Sequence, residues 1–388
     1  MTMPPSGPFG QQPPHGGPGG GSPELWPQYR GGPTSPPPAG PPPPWGPQQH
    51  WPNGPTPPNR GGGGKAKWIL GGVAVVLAIA LAVVVTVLVV RPDGGTVAAG
   101  NGAENSDAKL ASADDKGPVK ILTDDPTCDA WNTVLDEYSG VTKSIRWDDR
   151  DDSVPEGSWT PEQRAMYEAV GKAMTQAADQ AVTLMGQTPH RDMRVLYEQF
   201  VATSREFVSR IPTYQPTDDE LSAASNAAGA AIANICAAIN RRTAQSVAPL
   251  VSDVTGAEIG SEDDQELTAV LSTPSPMCSD WKSLVARFHE DTTAWRAIDK
   301  NIPATEWTPN QRAINDAAGR IMSATADEME QLATASDNPR LQNIITLAAQ
   351  YRRGFVKALP NYEPSDSYLE LSATSLSRFV NAACAYRS

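Results

Sequence analysis

Trp159-Thr160-Pro161-Glu162-Gln163-Arg164 returns 148 residues later as Trp307-Thr308-Pro309-Asn310-Gln311-Arg312. A threonine followed by proline is a helix N-cap with the ring at the first helical position, where no N–H is needed. Glutamine three residues after the threonine closes a capping box. The hexapeptide therefore opens a helix, and it does so twice. The same spacing pairs Trp147 with Trp295, Pro155 with Pro303, Gly171 with Gly319 and Met174 with Met322. It also pairs Phe207-Val208 with Phe355-Val356, Pro212, Tyr214 and Pro216 with Pro360, Tyr362 and Pro364, and Cys236 with Cys384. Upstream, Pro126-Thr127-Cys128-Asp129-Ala130-Trp131 matches Pro276-Met277-Cys278-Ser279-Asp280-Trp281. So many matches, at a spacing of 150 upstream and 148 from there on, indicate an internal duplication. They divide this part of the chain into a first repeat (125–243), a linker (244–274) and a second repeat (275–388).

Each repeat reads as four helices, so the expected fold is all-α, two tandem disulfide-stapled four-helix bundles. Helix one carries Cys128, Trp131, Leu135 and Tyr138, or Cys278, Trp281, Val285 and Phe288, at helical spacing. Helix two has an apolar face of Met166, Val170, Met174, Ala177 and Ala181. Helix three ends before Pro212. Helix four is predicted to start at Thr217, with Glu220 completing a box, and to run to about Ile239. Its apolar stretch is interrupted by Asn226 and Asn234, which argues against a membrane span. In an up-down-up-down bundle the start of helix one and the end of helix four share an end. That places Cys128 by Cys236 and Cys278 by Cys384, four cysteines in a pattern that fits an oxidising compartment. Counting outward from the loop between helices one and two also sets Trp131 level with Met174, and Trp281 with Met322.

The N-terminal part is different in kind. Of the 37 prolines, 21 precede position 61. Proline and glycine at this density form no packed core, so residues 1–64 are expected to be a disordered Pro/Gly-rich tail. Trp26, Tyr29, Trp45 and Trp51 within it are either docking residues for a cytosolic partner or self-association stickers, or the tail is simply a flexible, solvated leash. Trp68 to Val90 is an uncharged apolar run long enough to span a hydrocarbon core of about 30 Å. This gives a transmembrane helix over 65–91. Arg60, Lys65 and Lys67 outweigh Arg91 beside the span, which puts the N-terminus in the cytoplasm and the repeats outside the plasma membrane. A cleaved signal peptide is the rival reading, but the apolar run and the segment before it are both too long. An acidic flexible linker (92–124) leads to the repeats.

The chemistry-bearing residues exclude more than they propose. The formal net charge is −13, and only Glu24 is acidic before residue 91, so the repeats are strongly acidic and a poor partner for nucleic acid. Ser279-Asp280-Trp281-Lys282 fits an S-x-x-K pattern, but no Lys-Thr-Gly accompanies it, and the first repeat has Asp129 and Asn132 at those places. His190 and His289 occupy non-equivalent positions and lie at no ligand spacing. Asp148-Asp149-Arg150-Asp151-Asp152 lacks the glycine and terminal glutamate of a calcium loop. No enzyme activity, cofactor or metal is expected. Trp147, Trp159, Trp295 and Trp307 flank the loops between helices one and two; they either cap the bundle ends or line a partner or ligand surface.

The combined layout of Pro/Gly-rich tail, single span, acidic linker and two-disulfide exported region resembles the proline-rich membrane proteins of actinobacterial, especially mycobacterial, cell envelopes. The resemblance is one of layout and transfers no site residue. The expected function is that of a non-enzymatic envelope protein whose duplicated domain binds or scaffolds another envelope component. The alternative is an ectodomain that binds or senses a small molecule or lipid in a groove between helices or between the two repeats.

Overall fold

Thr160 accepts a hydrogen bond from the Gln163 N–H while the Gln163 side chain accepts from the Thr160 N–H; Thr308 and Gln311 do the same. Both boxes therefore start the longest helices of a computed structural model that describes residues 110–259, 270 and 275–386. In the first repeat, α1 is Cys128–Ser144, α2 Pro161–Gln187, α3 Arg191–Arg210 and α4 Asp219–Asn240, followed by the short α5, Thr243–Val247. In the second, α6 is Met277–Asp291, α7 the single turn Thr293–Arg296, α8 Pro309–Thr334, α9 Pro339–Ala358 and α10 Ser367–Tyr386. Among the described residues there is no strand, only an isolated antiparallel bridge between Val119 and Val254. The tail (1–64), the span (65–91) and residues 92–109 of the linker lie outside the described residues.

The cysteines are joined as the bundle topology requires, Cys128 to Cys236 and Cys278 to Cys384, with Cα separations of 5.3 and 5.4 Å. The start of helix four differs from the expected one. Pro216–Asp218 forms a 3₁₀ turn, and Asp218, not Glu220, accepts from the Gln215 N–H at 2.8 Å. Asp366 and Glu363 repeat that arrangement. Proline at the first position of the turn favours the tighter start. One described helix, Pro216–Asn240, is long and apolar enough to cross a membrane, but 72% of its most apolar window is buried inside the protein, as suits a core helix.

The expected level of Trp131 is also corrected. All four residues Trp131, Met174, Trp281 and Met322 are buried. However, Glu137 accepts from Gln176 and Gln180 of α2 at 3.2 and 3.1 Å, so facing positions lie about two turns further along α2 than the loop count gives. Trp131 packs edge-on against Tyr197 and Phe200 of α3, and in the second repeat Arg287 pairs with Glu328 of α8, a displacement in the same direction, while Trp281 shares a cavity with Met329. The count failed because the connecting loop does not close tightly. It carries 3₁₀ turns at Trp147–Asp149 and Glu156–Ser158, and α2 begins beyond the end of α1.

The repeats are not beads on a string. Their most extensive helix contact is between α4 and α10, the last helix of each. Alanines along α4 permit this close approach, and Asn234 crosses it, donating to the Leu371 carbonyl and the Ser375 hydroxyl. Beside this seam, Glu198 of α3 pairs with Arg194 and, at 3.0 Å, with Arg340 of α9. The stretch 110–124, expected to be flexible linker, is packed: Val119, Ile121 and Leu122 are buried. Val119 bridges Val254, and the Leu122 N–H donates to the Tyr351 hydroxyl of α9. A chain entering the first repeat is thus strapped to the second. All described residues belong to one compact unit.

Candidate functional site

The four loop tryptophans are brought to the outer ends of the two bundles, and there they are mostly interior. Trp147, Trp159 and Trp307 are 2%, 8% and 8% exposed, and Trp295 is half-buried. In the first repeat Trp159 stacks on Tyr167 (3.9 Å between centroids), Trp147 meets the same ring edge-on at 4.9 Å, and Phe207 and Tyr214 complete the cluster. In the second, Trp307 stacks on Tyr362 and Trp295 meets Phe355 edge-on. Two of the indole N–H groups are satisfied by carbonyls at the loop, Trp159 donating to Val154 at 2.8 Å and Trp307 to Ile302 at 3.0 Å, whereas the Trp147 Nε1 has no hydrogen-bond partner among the described residues. The rings cap the bundle ends, and the surface they leave is only the rim around Trp295.

The first of these ends holds an arginine–carboxylate ion pair, whereas at the second Arg312 lies 5.8 Å from the Trp307 centroid and donates to the Ala304 carbonyl. The Arg150 guanidinium lies 3.8 Å over the Trp147 ring and pairs with Asp219. Burial opposes its charge, but Asp219, Tyr167 and Asp152 override that and hold the guanidinium more firmly protonated than usual. Burial raises the Asp219 carboxyl despite Arg150, and burial with the Asp219 and Asp152 charges pushes Glu220 up to about 7. The aligned second-repeat residues are Ile298 for Arg150, Ser367 for Asp219 and Tyr368 for Glu220, so the end there is held by Trp295 Nε1 donating to Asn315 instead.

Concavities lie elsewhere on the described residues. An open trough of about 820 Å³ runs along α2 of the first repeat. Glu168, Lys172, Gln176 and Asp179 stand along it, and Val208, Ile211 and Pro212 supply apolar surface. Helix α2 comes close to the turn after α3 here because residue 171 is glycine: a Cβ would lie 2.8 Å from Ile211 Cδ1.

The second concavity is small, about 40 Å³, and lies inside the second repeat between α6, α8, α9 and α10. Its apolar wall is Trp281, Leu284, Val285, Phe288 and Met329, and its polar wall includes Arg352 and Arg378. Arg352 is 2% exposed, with its guanidinium 4.1 Å from the Phe288 centroid and Nη2 donating to Ser377 at 3.4 Å. Its Nε and Nη1, and the Trp281 Nε1, have no hydrogen-bond partner among the described residues. Burial pushes Arg352 down to about 10 and lowers Arg378 as well; the charge of Glu370 opposes both shifts. The sequence contained a signal for this site that reading the repeats for likeness alone passes over. At the duplication spacing, Arg352 stands where the first repeat has Ser204, Arg378 where it has Ala230, and Glu370 where it has Ser222. In the first repeat Ser204 simply bonds Ser225 at 2.6 Å, and Trp131 donates to the Gly229 carbonyl.

Residues 110–388 match the family model described as mycobacterial ESX-1 associated protein. The chain is 39% identical over 345 residues to an uncharacterized protein of Mycolicibacterium smegmatis (strain MKD8), a match covering 87% of this chain and 90% of that relative. No solved structure matches.

Proposed function

The chain belongs to the mycobacterial family of ESX-1 associated proteins, and from that premise we propose that it is a non-enzymatic docking protein of the cell envelope. In this reading the span 65–91 anchors it in the plasma membrane with the tail in the cytoplasm. The double repeat stands outside as a platform for a protein partner of the ESX-1 secretion system. The observation that carries the reading is the trough along α2. It is open, apolar within and rimmed by Glu168, Lys172, Gln176 and Asp179, the make-up of a protein interface rather than of an enclosed ligand pocket. The platform has the stiffness such a role needs, because two disulfides, the α4–α10 seam and the 110–124 strap hold it together.

A photo-crosslinking residue placed at Lys172 in the native membrane tests this. Its counterpart Arg320, exposed on α8 of the second repeat, serves as comparator. Mass spectrometry is expected to identify one envelope protein joined at position 172 and not at 320. Equal labelling at both positions, or none at 172, would refute the reading. Protease added to intact spheroplasts tests the orientation: digestion of the tail from outside would reverse it.

A further inference from the structure

We propose that the small cavity of the second repeat binds one carboxylate group carried on a short aliphatic stem. The observation is an excess of donors. Arg352 Nε, Arg352 Nη1 and Trp281 Nε1 are buried N–H groups without partners among the described residues, and Arg352 and Trp281 both line the cavity. A guanidinium and an indole N–H donate and never accept, so what satisfies them must be an acceptor. A buried guanidinium also needs negative charge beside it, and no carboxylate forms an ion pair with Arg352 among the described residues. The one acid whose charge reaches it, Glu370, is shared with Arg378 and accepts from Thr374. Of the hydroxyls lining the cavity, Ser377 accepts from Arg352 Nη2 at 3.4 Å, and water brings no negative charge to offset the guanidinium.

Size and lining narrow the class. About 40 Å³ holds roughly three waters, which is room for the three heavy atoms of a carboxylate, its stem lying in the open mouth of the cavity. Leu284, Val285 and Met329 offer methylene contacts that an inorganic anion leaves unused. A planar carboxylate also matches the fork geometry of a guanidinium. The first repeat serves as an internal control. It keeps the fold and the disulfide with serine and alanine at the two arginine positions, so the charges are not a requirement of the bundle. This inference is independent of the trough and of the docking reading.

The test uses the full chain in nanodiscs, titrated with sodium hexanoate, sodium acetate or sodium chloride at constant ionic strength while thermal unfolding is followed by circular dichroism. Hexanoate is expected to raise Tm saturably by about 2–4 °C, acetate by less, and chloride not at all. Arg352→Ser, which installs the residue of the first repeat, should abolish the shift. Val285→Phe fills the cavity from its apolar side and leaves the guanidinium in place, so it decides the matter should Arg352→Ser fold poorly; it too should abolish the shift. A wild-type protein indifferent to hexanoate, an equal response to chloride, or a response retained by Val285→Phe would each overturn the proposal.

Discussion

Glu220 is where single-residue chemistry has the clearest consequence. Its carboxyl titrates near 7 in the folded protein against 4.5 ordinarily, so between these values the folded state holds the proton more tightly than the unfolded one. Stability from this group is complete below pH 4.5 and is lost as pH rises through about 7. Unfolding in urea at a series of pH values is expected to show stability falling across that window, and Glu220→Gln should flatten the slope. An unchanged slope would mean that Asp219, or Asp192, which burial pushes up to about 6, dominates instead. Glycines separate in the same local way. A Cβ on Gly256 would lie 2.8 Å from both Arg191 Nη2 and Val119 Cγ2 and 3.1 Å from Asn343 Oδ1, whereas one on Gly157 would meet nothing within 4 Å. Gly256→Ala is expected to cost about 1–3 kcal/mol in denaturant unfolding, as overpacking does. Gly157→Ala should stay within about 0.5 kcal/mol.

At the scale of elements, the helices are bounded by signals that are chemically independent of packing. Thr160→Ala removes the acceptor for the Gln163 N–H and is expected to cost about 1 kcal/mol; Thr308→Ala should cost the same, because the two boxes are alike. Unequal costs would show that one α-helix start is held by its surroundings instead. The disulfides act over longer distance, each closing more than a hundred residues at 108 and 106 positions apart. Replacing Cys128 and Cys236 together by serine is expected to lower stability by about 2–5 kcal/mol, most of it through a less constrained unfolded chain. Calorimetry of the double variant measures this; a loss under 1 kcal/mol would place the stiffness of the first repeat in its aromatic end and seam. These caps, proline stops and pairings were legible in the sequence because each depends on a few residues at fixed spacing.

The whole molecule depends on contacts that no local spacing encodes. The α4–α10 seam buries the small side chains of α4, and the strap crosses to Tyr351, so the first repeat lacks part of its cover when alone. A fragment of residues 110–259 is therefore expected to self-associate or remain unfolded, as judged by sedimentation and amide exchange. A well-dispersed, folded monomer would show that the repeats are separable domains. The same contacts explain why the half-buried Arg340 pairs with the buried Glu198 across the repeats: it offsets the charge that the first repeat brings to the seam.

By itself the sequence determined the all-α class, the duplicated order of helices, their caps and the cysteine partners, because periodicity, capping chemistry and bundle topology are local or nearly so. The tertiary structure alone decided the level of α1 against α2, the burial of 110–124 and the joining of the repeats. These follow from the path of a long loop and from which apolar faces meet. It also decided the state of the loop tryptophans, which an alternation of capping and surface readings had left open: neighbouring rings enclose three of them. The cavity at Arg352 belongs to the same class. One arginine on a helix reads as solvated until the packing around it shows that its Nε and Nη1 are buried without a protein acceptor among the described residues.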